Sequence, residues 1–239
     1  KWACYQKNYL SLFSNQKPKT KNQKPKTNPL KTSANIISVI FHPLLMCSYG
    51  SLLFFFFLKG SVYYYLTPFN LKWIITAMIF SFSFVLPVIN IYILYRLNRI
   101  RSLKMEDQRE RTFPYILTSC FYFGLFYLFL DLSVWPSIKI LIFGGGLTIL
   151  LTAIINMKYK ISAHMVGIGG LLGSLIIISY ILKYNAVPQI ATLVLIAGLI
   201  ATSRLYLKAH EPKQIYSGFF LGLISQLTVF FSFLFFKFT

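Results

Sequence analysis

The sequence predicts an all-α protein, a polytopic transmembrane helical bundle of about six to seven spans, and three observations carry that reading. Hydrophobic residues make up 56% of the 239 and charged residues only 12%, with a mean hydropathy of +0.62, which a water-soluble domain of this length does not need. Apolar runs of the roughly 20 residues that cross about 30 Å of hydrocarbon recur from residue 36 onward. The charged residues gather between those runs.

Residues 1–35 stand apart as a basic tail. The stretch is rich in Lys, Asn and Pro, and residues 15–21 (NQKPKTK) are nearly repeated by residues 22–28 (NQKPKTN). Such a composition cannot bury a core and is expected to be disordered. It lacks the apolar run and small-residue cleavage site of a signal peptide, and the missing initiator Met suggests a fragment or an uncertain gene start. Residues 36–239 form the membrane domain. Its spans are expected near 36–58, 71–95, 114–130, 136–156, 164–182, 187–202 and 215–236. The sixth is short, so its end should reach into the polar loop after it.

Two of these spans contain prolines. His42-Pro43 and Pro87 predict kinks, since proline removes a backbone donor. His42 itself reads either as a satisfied interfacial group or as a buried ligand. Gly167, Gly169, Gly170 and Gly173 open the fifth span, where small residues let helices approach closely.

Three polar clusters separate the spans. Residues 96–111 (RLNRIRSLKMEDQRER) hold six Lys or Arg and three of the chain's five acids. This is either a solvated loop or an anion site, because on a helix Lys104 and Arg111 fall two turns apart on one face. The second cluster runs through Lys158 and Lys160 into Ser162-Ala163-His164. A Ser cap followed by unpaired backbone N–H groups suits an anion, and His164 there either donates a proton or caps the helix. In the third, Ser203-Arg204 precedes His210, and Pro212 marks a helix restart. His210 and Gln214 are four apart, near enough for the amide to orient the imidazole. Two spans separate each cluster from the next, and an even number of crossings returns the chain to the same side. All three clusters are therefore expected on one face.

The net charge of +19 would suggest nucleic acid in a soluble protein. Between apolar spans it reads as topology signal, headgroup contact or phosphate ligand instead, so no nucleic-acid partner is expected. Cys4, Cys47 and Cys120 share no metal spacing, and five acids with three in one loop make a poor Mg²⁺ or Zn²⁺ site. No metal or cofactor is expected.

Lys104, six residues, Arg111; Ser162-Ala163-His164; Ser203-Arg204, five residues, His210: this order resembles the three signature motifs of the type 2 phosphatidic acid phosphatase (PAP2) superfamily, bacterial membrane branch, over residues 104–214. The resemblance implies a metal-independent phosphoric monoester or diphosphate hydrolase acting on a lipid or isoprenoid phosphate or diphosphate. It implies that His210 is the nucleophile, forming a phosphohistidine, and that His164 protonates the leaving alkoxide. Lys104, Arg111, Ser162 and Arg204 would hold the phosphoryl oxygens, whose spreading charge positioned cations stabilise. The partners implied are a phosphorylated lipid and membrane lipids, and the location a bacterial inner (cytoplasmic) membrane.

The motifs depart from the family's in three places. Arg-Pro becomes Arg111-Thr112-Phe113-Pro114, Pro-Ser-Gly-His becomes Ile161-Ser162-Ala163-His164, and the closing Asp becomes Gln214. The last change removes the carboxylate that would fix the tautomer of His210 and stabilise its charge. The alternative is therefore a chain that binds a phospholipid without turnover. A transporter or assembly subunit ranks lower, because no charged pair lies deep in a span. The family works on the extracytoplasmic side, whereas only Lys59, Lys72, Lys139, Lys183 and Lys237 lie opposite the motif face. The positive-inside rule would place that face in the cytoplasm.

Overall fold

The computed structural model describes residues 28–237 apart from 104 and 106, with the side chains of 234–237 also outside the description. Lys104 and the expected disorder of residues 1–27 thus lie outside the described residues. Among the described residues there is no strand, and seven helical segments are long and apolar enough to cross a membrane. The protein is an all-α polytopic bundle and an integral membrane protein.

The first span is assembled from α1 (Pro29–Ile40), a 3₁₀ turn (Pro43–Leu45), α2 (Met46–Leu52) and a π turn (Leu53–Phe57). It starts seven residues before the expected position 36, so residues 29–35 are helical rather than part of the tail. Asn28 sets that start: its side chain accepts from Leu30 N at 3.1 Å, and Pro29 occupies the first helical position, where a missing N–H costs nothing. The kink expected at His42-Pro43 is present. The helix stops at Ile40, and His42 caps the 3₁₀ turn that follows.

After the short α3 (Val62–Leu66), the second span runs through α4 (Phe69–Phe80), a π turn (Ser81–Val85) and α5 (Leu86–Arg96). Pro87 has no N–H for the carbonyl four residues back, and the helix widens immediately before it. The third span, α6 (Gln108–Leu130), begins six residues before the expected Pro114. Asp107 caps it by accepting from Arg109 N at 2.9 Å, and Pro114 lies buried inside the helix. Because α6 starts at Gln108, the helical face expected to join Arg111 to Lys104 ends there. The remaining spans are α7 (Pro136–Asn156), α8 (Ala163–Ile181), α9 (Val187–Tyr206) and α10 (Pro212–Lys237). Helix α9 continues past 202 to Tyr206, as its short apolar run required.

Helix α8 packs along α10, α6 along α7, and α9 against both α8 and α1. The α8–α10 seam depends on glycine. A Cβ on Gly222 would run into the Val166 carbonyl, one on Gly169 into the Phe219 carbonyl, and one on Gly173 would lie 2.7 Å from Leu223 O. The expected packing role of the fifth-span glycines is thus met, with Gly167 facing Met46 of α2 instead. Phe54, Phe55, Ile142, Leu175 and Phe230 are buried in the core, while Leu195 and Leu199 of α9 and Phe231 of α10 face outward, where hydrocarbon would cover them.

The three polar loops meet at one end. Ser162 N donates to Gln214 O at 3.2 Å, tying the α7–α8 loop to the start of α10. Asn156 Nδ2 donates to Gln108 O at 2.8 Å while Gln108 Nε2 donates to Asn156 O, tying the end of α7 to the start of α6. The convergence expected from counting crossings is what the chain forms.

Candidate functional site

His210 lies in the α9–α10 loop and is 7% exposed. Its Nδ1 is 3.0 Å from Gln214 Oε1, which also accepts from Glu211 N at 3.3 Å. A backbone N–H can only donate, so the shared atom is the amide oxygen and Nδ1 carries its hydrogen. Nε2 is then the nitrogen with the lone pair. Gln214 reaches back over the first turn of α10 much as in a capping box, so one side chain both caps the helix and fixes the imidazole. Burial, with Arg204, Arg111 and Lys160 nearby, lowers the His210 pKa to about 4 against the opposing pull of the Gln214 bond.

Arg204, in the last turn of α9, donates from Nη1 to Ser38 Oγ at 3.3 Å, and its Nε is buried without a partner. His164, in the first turn of α8, has Nε2 3.0 Å from Ser38 O. A carbonyl only accepts, so Nε2 bears the proton and Nδ1 the lone pair. The His42 ring lies edge-on 5.7 Å from that of His164, with its Nδ1 accepting from Leu44 N at 3.4 Å. Ser38 of α1 therefore bridges the second and third clusters.

Ser162 occupies the N-cap position of α8, but its hydroxyl makes no capping bond. It is fully buried and its Oγ has no partner. The backbone N–H of Ser162 is committed to Gln214, so that group is not among the donors available to an anion. Arg111, in the first turn of α6, donates from Nε to Met105 O at 2.5 Å and lies close to Tyr115, as does Arg204.

Of the seven residues expected at the site, His210, His164, Arg204, Arg111, Ser162 and Gln214 come together, while Lys104 lies outside the description. Ser38, His42, Tyr115 and Lys160 join them. Tyr115 follows Arg111 by four on α6 and so shares its face, whereas Ser38 lies in the last turn of α1, before the break at His42, and gives no such signal. No carboxylate of a described residue pairs with Arg111 or Arg204, the one ion pair among those residues being Arg101 to Glu110. Arg111 and Arg204, which no carboxylate among the described residues pairs, stand around buried imidazoles and an unpaired hydroxyl, a recess that suits an anion rich in acceptor oxygens.

No family model matches the chain, no curated protein matches it, and no solved structure matches its fold. Fold and site together define a class: an integral membrane helical bundle with a basic, histidine-containing recess at one end.

Proposed function

We propose that the protein is a membrane phosphatase of the type 2 phosphatidic acid phosphatase kind, hydrolysing a lipid or isoprenoid phosphate or diphosphate. The observation that supports this most is His210. Its Nδ1–H is fixed by Gln214, which leaves a lone pair on Nε2 beside Arg111, Arg204 and Lys160.

In this reading Nε2 attacks phosphorus, an N–P bond forms and the P–O bond to the lipid breaks. Arg111 and Arg204 stabilise charge on the equatorial oxygens, and Arg204 Nε and Ser162 Oγ gain partners there. His164, protonated at Nδ1 as well and so an imidazolium, supplies a proton to the leaving alkoxide once released from Ser38 O, and is left as the neutral imidazole that takes a proton from the attacking water in the next step. Water then cleaves the N–P bond, yielding phosphate and neutral His210.

The test is phosphate release from phosphatidic acid, phosphatidylglycerol phosphate and undecaprenyl diphosphate by the purified protein. Wild type should release phosphate from at least one, and His210→Ala should abolish it. An equally inactive pair across all three would sink the proposal.

A second reading is favoured by two contacts, the Ser38 carbonyl holding the His164 proton and the amide standing where a carboxylate would orient His210. Here the recess binds a phosphorylated lipid without turnover. Thermal stabilisation by phosphatidic acid without product, weakened by Arg204→Ala, would distinguish it.

A further inference from the structure

The first span changes neighbours at its break. On the rim side α1 packs against α9, and beyond the break α2 packs against α4 and α8. Between α2 and the half of α9 farther from the rim lies a groove of about 470 Å³, floored by Ile168 and Leu171 of α8. Ile40 and Phe41 line its rim end, where His42-Pro43 stops the helix. Ile40 and Phe57 are exposed along it, so its outer side faces the bilayer.

Tyr49, Gln189 and Thr192 are the polar residues of its wall, and no charged residue lines it. Leu44 N, which a continuous helix would pair with Ile40 O, goes to His42 Nδ1 instead. The Tyr49 hydroxyl takes that place, donating to Ile40 O at 2.7 Å. Thr192 Oγ1 donates to Pro188 O at 2.8 Å, and Gln189 lies in the first turn of α9, at the end away from the rim. An ion or a phosphate finds no cation along this wall, whereas hydrocarbon finds apolar side chains for most of its length. At roughly 30 Å³ for a methylene, close to the share of a water molecule in the liquid, the groove takes about 15 of them, one lipid chain and not two.

The groove is continuous with the recess. Ile168 follows His164 by four on α8, so the floor begins one turn, about 6 Å, below that imidazole. Ser38, whose carbonyl meets His164, precedes Ile40 by two. The oxygen that His164 protonates in the proposed reaction joins phosphorus to the lipid, so the chain leaves the rim at this end of the groove.

We propose that the groove between α2 and α9 seats one hydrocarbon chain of the phosphorylated lipid, which enters sideways from the bilayer as its phosphate reaches the rim. This rests on the rim being a lipid-phosphate site. A second chain, where the lipid has one, stays in the bilayer.

The experiment uses the purified full chain in phosphatidylcholine nanodiscs and two photoreactive probes, lysophosphatidic acid with a diazirine midway along its chain and the matching monoacylglycerol without phosphate. Labelled residues are mapped by mass spectrometry, with His210→Ala beside wild type so that the phosphate probe stays intact. The phosphate probe should label residues 46–57 and 189–196 more than the monoacylglycerol does, and the excess should vanish in Arg204→Ala and in Ile196→Trp, which fills the groove. Glycerol 3-phosphate, a headgroup without a chain, should still raise the melting temperature of Ile196→Trp. Equal labelling by the two probes would mean that bulk lipid occupies the groove and would overturn the proposal. Excess labelling confined to other surfaces, with glycerol 3-phosphate still stabilising wild type, would overturn the groove and leave the rim intact. Neither excess labelling nor stabilisation would overturn both. The two-probe comparison in wild type decides the matter even if Ile196→Trp fails to fold.

Discussion

Gln214 Oε1 stands 3.0 Å from His210 Nδ1 and 3.3 Å from Glu211 N, so one amide oxygen serves both the imidazole and the helix start. This contact performs the positional work of an orienting carboxylate without its charge. A neutral amide fixes the tautomer but would contribute little to the imidazolium that the proposed phosphorylation of Nε2 would form. Gln214→Glu keeps the length of the side chain and adds the charge. Phosphate release by Gln214→Glu should exceed wild type at least tenfold, within the roughly 10⁴ that loss of such a group costs a serine protease. Gln214→Leu should fall below wild type, and a Gln214→Glu variant no faster than wild type would separate orientation from charge.

The same imidazole sets a pH dependence. Its pKa falls from an ordinary 6.5 in the unfolded chain to about 4 in the fold, chiefly through burial and then through Arg204, Arg111 and Lys160. Between those values the unfolded chain holds a proton that the native state does not, so stability rises with pH across the window. His210 thus leaves stability intact above about pH 6.5 and removes it progressively as pH falls toward 4, by up to about 3 kcal/mol. Melting temperatures at pH 7 and pH 5 should differ less in His210→Asn than in wild type. Equal differences would show that His210 is not the group responsible.

Much of this arrangement was legible because membranes constrain sequence so strongly. Seven apolar runs fixed the spans, and the parity of crossings placed Arg111, Ser162 and Arg204 at one end. The pairing of His210 with Gln214 followed from spacing and from Pro212. What the sequence hid depends on local caps and on helix rotation. Asn28 and Asp107 moved two helix starts outward by several residues, and with them the register of Arg111. Ser38 is one small polar residue in an apolar span. Only the packing of α1 against α9 brings its hydroxyl to Arg204, and only its approach to the start of α8 brings its carbonyl to His164. Gln226 is a single amide deep in the seventh span, and its partners, the Leu141 carbonyl and the space over Gly144, belong to another helix.

The α8–α10 seam gives a sharper test of packing. A side chain at Gly222 would collide with the Val166 carbonyl and crowd Gly170 N, both backbone atoms that cannot rotate away. Gly222→Leu should therefore destabilise by about 3 kcal/mol or more, the upper range for overpacked sites. Gly198 of α9 has nothing within 4 Å of its Cβ position, so Gly198→Ala should be neutral or slightly stabilising through its better helix propensity. A thermal melt in detergent that ranks the two variants alike would contradict the close approach of α8 and α10.

At the opposite end of the bundle, Lys72 is only 7% exposed although it carries a charge. Its Nζ donates to Tyr64 O at 2.6 Å and lies 4.7 Å from the Tyr64 ring centroid and 5.7 Å from that of Phe56. The carbonyl belongs to the last turn of α3, where helix carbonyls lack intrahelical partners and the dipole favours a cation. The ring faces add attraction in the same direction. Lys72→Met preserves most of the apolar stem but removes the donor and the charge. It should cost about 1–3 kcal/mol, the range for stranding a buried carbonyl. Lys72→Arg retains a cation for the rings and should recover part of that loss. Limited proteolysis of residues 58–68 in detergent would check the mechanism: if Lys72 pins α3 to α4, Lys72→Met should be cut there faster than wild type, and unchanged cutting would show that the contact does not hold the loop.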